Sequence, residues 1–305
     1  MENTESNKEL LMRADAFNKK VQGTMKQKKR DRFSIPLNVL KWLAMIAILC
    51  QNINIAVFEK ILVTDDIGKL PISALWKLRP YSPSWKLIAH KEYADALNTF
   101  IDAHATMYNA YLIFMVVGCM TLPLISYLLV NSFLKSEKKF NTILAVGICA
   151  VTAEIPYDLV TSNKFYNYEN QNMFFGLFMG LAVIACMDIV LKKYKASKLI
   201  KYSLSIIIVF FGMFIGIFGN SYFLCFPIII MVAMYIFKDK KLFGSVIGCL
   251  ALTYLSLYYI CSFLSLIPIY LNNGKEDKKM NYVLLAFYPV HLIILYIIAK
   301  SMGLY

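Results

Sequence analysis

Glu154, Pro156 and Asp158 stand inside Asn141–Val160, an apolar run of the length that lipid buries. A carboxylate at mid-bilayer costs about 3 kcal/mol or more on insertion scales, so such groups usually face a partner, a cavity or a substrate. His291 lies in a second apolar run, two residues after Pro289. An imidazole can take a proton from an incoming amine or hydroxyl, and a carboxylate such as Glu154 or Asp158 can orient it or hold its protonated form. The amides of Gln51, Asn52, Gln171 and Asn172 are candidates to bond a substrate carbonyl or backbone. A plainer reading stands beside this one. A lone intramembrane His often only bonds a neighbouring helix, and Asn or Gln commonly ties helices together. Two acids beside a proline kink are harder to explain by packing alone. Asp188 reads as an interface residue reaching toward water, and Asp102 with His104 as a solvated loop pair.

The elements that must position these groups are membrane helices. The chain has 305 residues, 59% of them hydrophobic, against roughly 45–50% in soluble domains. The excess falls in blocks long enough to cross a bilayer, separated by short charged links. The expected fold is an all-α, polytopic transmembrane bundle of about eight spans. They are Leu37–Phe58, Tyr111–Leu134, Asn141–Val160, Met173–Leu191, Leu199–Gly219, Tyr222–Phe237, Leu242–Leu271 and Met280–Gly303. The seventh is long and carries Pro268, so it is expected to tilt, kink or end in a turn.

Basic residues set the expected orientation. Residues 1–36 form a basic arm, possible as an amphipathic helix on an anionic leaflet or as a floppy segment, and are expected in the cytoplasm. Alternation puts the links at 135–139, 192–198 and 238–241 on the same side, and all three are lysine-rich. Residues 59–110, 161–172, 220–221 and 272–279 then fall outside, the last fitting less well because it carries three lysines. Eight spans return the C-terminus to the cytoplasm. Asn52, Glu154, Asp158, Gln171, Asn172 and His291 all fall in the outer half, Asp158 nearly at the surface, and are expected to converge on one wet cavity.

Other classes are disfavoured. The net charge of +13 is explained by links and arm, and no nucleic-acid motif accompanies it. The seven cysteines form no C-x-x-C pair, and the three histidines no H-E-x-x-H pattern, so neither a metal site nor zinc hydrolysis is expected. No paired broken helices recur in two halves, which ranks a transporter low.

Four stretches carry a resemblance: LKWLAMIAILCQNI, LPLISYLLVNSF, AEIPYDL through QNMFFGLFMGLAVIACMD, and the Asn273-Gly274-Lys275 turn through FYPVHLIILY. Together they resemble the TraX family, polytopic proteins related to membrane acyltransferases and named for the conjugative-plasmid protein that N-acetylates pilin. The resemblance implies a multi-pass protein of the cell membrane, with its TraX-like domain at 37–303. It implies transfer of acetyl from acetyl-CoA to an amine or hydroxyl of a membrane-borne peptide or envelope molecule. Glu154, Asp158, Gln171, Asn172, Asp188 and His291 match family positions. The chain departs where the family usually has Asp-His and this sequence has Gln51-Asn52, and where Cys119 and Asn131 replace an Arg and a Glu. In the related acyltransferases a first-span His is the candidate base, whereas an Asn cannot accept a proton near neutral pH. The alternative is therefore a catalytically degenerate relative acting in immunity to, or export or assembly of, a secreted peptide.

Overall fold

A computed structural model describes residues 34–64, 105–168, 171–218, 225–255, 257–274 and 280–305. Most of the basic arm, the 65–104 part of the first link with Asp102 and His104, and residues 220–221 and 275–279 lie outside the described residues. Among those described the secondary structure is helical, with one isolated backbone bridge, Ile35 to Asn272.

The helices are α1 (Leu37–Ile53), α2 (Glu59–Thr64), α3 (Ala105–Gly118), α4 (Thr121–Lys135), α5 (Lys139–Ser162) and α6 (Met173–Lys192). Then come α7 (Lys198–Phe218), α8 (Cys225–Ile236), α9 (Lys241–Leu255), α10 (Leu266–Leu271) and α11 (Met280–Ser301). A π-helical turn, Asn54–Phe58, joins α1 to α2, and a 3-10 segment, Leu257–Ser265, precedes α10. Among the described residues, six helical stretches are long and apolar enough to cross a membrane: Leu37–Ile61, Ala105–Lys135, Lys139–Ser162, Met173–Lys192, Lys198–Gly216 and Tyr282–Ser301. Their lipid-facing sides are greasy, as Trp42, Ile148, Phe210 and Ile297 show, each more than half exposed.

The sixth and seventh expected spans do not add to that number. The sixth is the short helix α8, too short to be counted with those six, which nevertheless carries the chain from the end of α7 back to the lysine-rich link at 238–241. The seventh, read as one apolar run, is broken: α9 ends at Leu255, and the 3-10 segment and α10 follow it back against α9. This is a hairpin entering and leaving by one end. Hydropathy cannot register such a reversal, because it scores apolarity and not direction.

The end it returns to is fixed by bonds. Ile35 N–H donates to Leu271 O at 2.9 Å, and Asn273 N–H to Ile35 O at 3.0 Å. Lys241 Nζ donates to Tyr270 O and Asn272 O at 3.0 and 2.7 Å, and Lys135 Nζ to Gly274 O at 2.8 Å. Residues 272–274 therefore lie at the basic end, beside the lysine-rich links, and not at the opposite end as expected. The three lysines that fitted poorly outside (Lys275, Lys278 and Lys279) come next in the sequence and lie outside the described residues.

The last helix then runs the other way from the one expected. Tyr296 OH donates to Asn163 Oδ1 at 3.1 Å, and Tyr305 OH to Val160 O at 2.5 Å. Asn163 follows α5 in the left-handed conformation (φ 54) that closes a helix, its N–H on Leu159 O. The C-terminal residues thus sit at the end opposite the lysines, and α5 and α11 lie parallel.

Close approach shapes the centre. A Cβ on Gly118 would meet Gln51 Cα and Cβ at 3.1 Å, so the end of α3 rests on α1 at Gln51. A Cβ on Gly244 would lie 2.9 Å from Met234 Cα, which lets α8 and α9 pack backbone to backbone.

Candidate functional site

The first polar pair links α1 to α11. Asn52 and His291 are both buried, at 4% exposure each. Asn52 Nδ2 lies 3.0 Å from Ile48 O and 3.0 Å from His291 Nε2. Ile48 O can only accept, so the amide nitrogen of Asn52 is the atom turned toward both partners. Nε2 must then accept, and the imidazole proton sits on Nδ1, which lies 2.9 Å from Phe287 O. The network therefore assigns a neutral His291 with its lone pair on Nε2. Phe287 stacks on the ring at 4.7 Å and 4°, which fixes its plane.

Pro289 does what its chemistry dictates. It has no N–H to give Leu285 O, one turn back. Cys149 Sγ of α5 takes up that carbonyl at 3.3 Å, so the freed group ties α5 to α11 beside the site.

The second pair links α5 to the start of α6. Asn172 is the N-cap of α6, its Oδ1 accepting from Phe174 N–H at 3.0 Å. Its Nδ2 donates to Glu154 Oε2 at 2.5 Å and Ala150 O at 2.8 Å, and its backbone N–H reaches Glu154 Oε2 at 3.3 Å. One turn on, fully buried Asp158 accepts Asn167 N–H at 2.8 Å through Oδ2. Each acid thus binds the segment leading into α6 with one oxygen. Glu154 Oε1 and Asp158 Oδ1 are buried with no protein partner.

A cavity of about 50 Å³ lies between these pairs, lined by Gln51, Asn52, Ile55, Tyr157, Gln171, Met173 and Tyr288. Of the residues expected to converge, Asn52 and Gln171 line it, with Gln51 beside them. His291 stands behind Asn52, and Glu154 and Asn172 meet each other. Tyr288 joins the pairs: it is 1% exposed, its ring lies 4.4 Å from Phe174 and 5.5 Å from His291, and it is within electrostatic range of Tyr157 and Glu154. Asp158 is bonded one turn further along α5, toward Asn167.

Asp188 stands apart near the basic end. Lys139 and Lys192 pair with its carboxylate at 2.5 and 2.7 Å, and Tyr235 OH donates to it at 2.7 Å. It fastens the start of α5 and the ends of α6 and α8 together, and at 7% exposure it is held inside the bundle and does not reach toward water as expected.

Three residues here were not singled out from sequence. Lys41, four positions into α1, is 1% exposed; a lone lysine in LNVLKWLAMIAIL was the available signal. Asn54, in the π turn, donates to Tyr111 O at 3.1 Å and binds the first span to the second. Tyr288 lay beside the noted Pro289, but nothing in an aromatic-rich sequence marks one tyrosine as central.

The fold and site define a multi-pass helical membrane protein with a polar interior in the half of the bundle away from its lysine-rich links. A family model described as TraX protein matches residues 36–299. The chain belongs to the TraX family. No curated protein and no solved structure matches it.

Proposed function

We propose that this is a TraX-like integral membrane acyltransferase, moving acetyl from acyl-CoA to an amine or hydroxyl of a membrane-borne peptide or envelope molecule. The observation that carries the reading is the Asn52–His291 pair: a neutral imidazole whose lone-pair nitrogen meets a residue lining the cavity. In the step proposed, Asn52 swings off Nε2, and Nε2 takes the N–H or O–H proton of the acceptor. The acceptor nitrogen or oxygen bonds to the thioester carbonyl carbon, the C–S bond breaks, and the departing thiolate takes the proton back from Nε2. Glu154 and Asp158 are positioning residues, holding the segment that brings Gln171 to the cavity wall. A water needs about 10–15 Å³ of such space, so the cavity suits a few waters or one acetyl-sized group. The remainder of the donor must then lie outside it.

A second reading has its own support. Both acids spend an oxygen on fastening the 163–172 segment, and Asn52 occupies the only basic nitrogen of His291. A non-catalytic relative, serving immunity to or export or assembly of a secreted peptide, would need nothing more. The deciding experiment incubates purified protein with radiolabelled acetyl-CoA and membrane extract. Label appearing on an acceptor with wild type, and absent with His291→Ala, supports transfer. No labelling by wild type, with His291→Ala normal in cells, refutes it.

A further inference from the structure

The cavity beside the Asn52–His291 pair treats the two classes of acceptor, amine and hydroxyl, differently. Its polar walls are the amides of Gln51, Asn52 and Gln171 and the phenols of Tyr157 and Tyr288, and its other lining side chains are apolar. Among the described residues no charged side chain lines it. Glu154 and Asp158 are not in the wall, and each has an oxygen bonded to the segment leading into α6, at Asn172 and Asn167 respectively. The space is therefore polar but neutral.

An amine acceptor arrives charged, because an α-amino group and a lysine side chain both hold their extra proton at neutral pH. An ammonium taken out of water is heavily penalised unless it is paired. Amides and phenols offer it acceptor oxygens but no countercharge. A hydroxyl brings no charge, and the same amides and phenols can both donate to it and accept from it. The resting contact already has this character: the group on His291 Nε2 is the neutral Nδ2–H of Asn52, at 3.0 Å. A hydroxyl in its place exchanges one neutral donor for another.

The proton balance points the same way through different atoms. A hydroxyl loses one proton on forming an ester: Nε2 takes it, the departing thiolate receives it, and none is left over. An ammonium loses two on forming an amide. The thiolate receives one, and the other must leave the cavity. His291 cannot pass it on through its far side, because its Nδ1–H is held on Phe287 O at 2.9 Å, a backbone carbonyl that is no base. Among the described residues no second base lines the cavity to take it instead. We propose that the acceptor is a neutral hydroxyl of a membrane-borne or envelope molecule, and that the product is an ester. This rests on the acyl-transfer reading and narrows it to transfer onto oxygen.

The test reads the bond that is made. Full-length wild-type protein is incubated with membrane extract and acetyl-CoA labelled in its acetyl group, and a second portion of extract has its primary amines chemically blocked beforehand. Extract without the protein supplies the blank. Neutral hydroxylamine first removes any thioester, and alkaline hydroxylamine then cleaves esters and leaves amides. The expected result is loss of nearly all remaining label to the alkaline step, with labelling undiminished by amine blocking. Label that survives the alkaline step and disappears on amine blocking is an amide; it overturns this inference and leaves acyl transfer standing. Label divided between ester and amide shows that the cavity does not select, and also overturns it. No label above the blank overturns acyl transfer itself, and the ester with it.

Discussion

Replacing Asn172 with Ala removes more than any other single side chain in the site. The Asn172 side chain caps α6 through Phe174 N–H and donates to Glu154 Oε2 and Ala150 O. Loss of an N-cap costs about 1 kcal/mol. Two further bonds vanish, and Glu154 Oε2 keeps only the longer 3.3 Å contact from the backbone, while Oε1 already has no protein partner. A buried acceptor stripped of its donor costs about 1–3 kcal/mol. The sum is roughly 2–4 kcal/mol, or a fall in melting temperature on the order of 5–10 °C for a chain this size. Glu154→Gln should fall less, because its side-chain carbonyl can still accept from Asn172. The assay is thermal unfolding of detergent-solubilised protein followed by size-exclusion recovery. An Asn172→Ala variant within about 1 °C of wild type, or a Glu154→Gln variant losing more than Asn172→Ala, would show that the α5–α6 clamp is not made.

Asn52→Leu should cost about 1–3 kcal/mol by leaving His291 Nε2 buried without its donor, again read as a lower melting temperature; no loss would mean the pair is not formed. Asp188→Asn keeps a partner for Tyr235 OH but removes both lysine pairs. Because Lys192 is half exposed, the loss should be about 1 kcal/mol or less and shrink as salt rises. Topology offers a direct check: a cysteine placed at Asn273 and a tag after Tyr305 should be reached by impermeant reagents from opposite faces of the membrane. Access from one face would restore an even number of crossings.

The long helices were legible because a run of apolar residues bounded by lysines has few other solutions in lipid. The lysines at 135–139, 192–198 and 238–241 fixed which helix ends lie together. The run from Leu242 to Leu271 misled because its apolar character says nothing about reversal; the bonds of Lys241 and Asn272 to segments distant in sequence decide its course. At the site, the cost of a charge in lipid marked Glu154 and Asp158, and Pro289 marked the freed carbonyl near His291. What could not be read was pairing. Nothing in the order of residues says that Asn52 meets His291, or that Glu154 spends an oxygen on Asn172, since each depends on how α1, α5, α6 and α11 pack.

A base at this site requires His291 to be neutral, with its proton on Nδ1 and its lone pair facing Asn52. The chain has only three histidines, so nitrogen NMR of protein carrying labelled histidine can identify the signals of His291 by comparison with His291→Gln. The expected spectrum shows one imidazole protonated at Nδ1 alone, reverting to another state in Asn52→Leu. A His291 protonated at Nε2, or on both nitrogens, at neutral pH would contradict the pairing and remove the basis for assigning it the role of base.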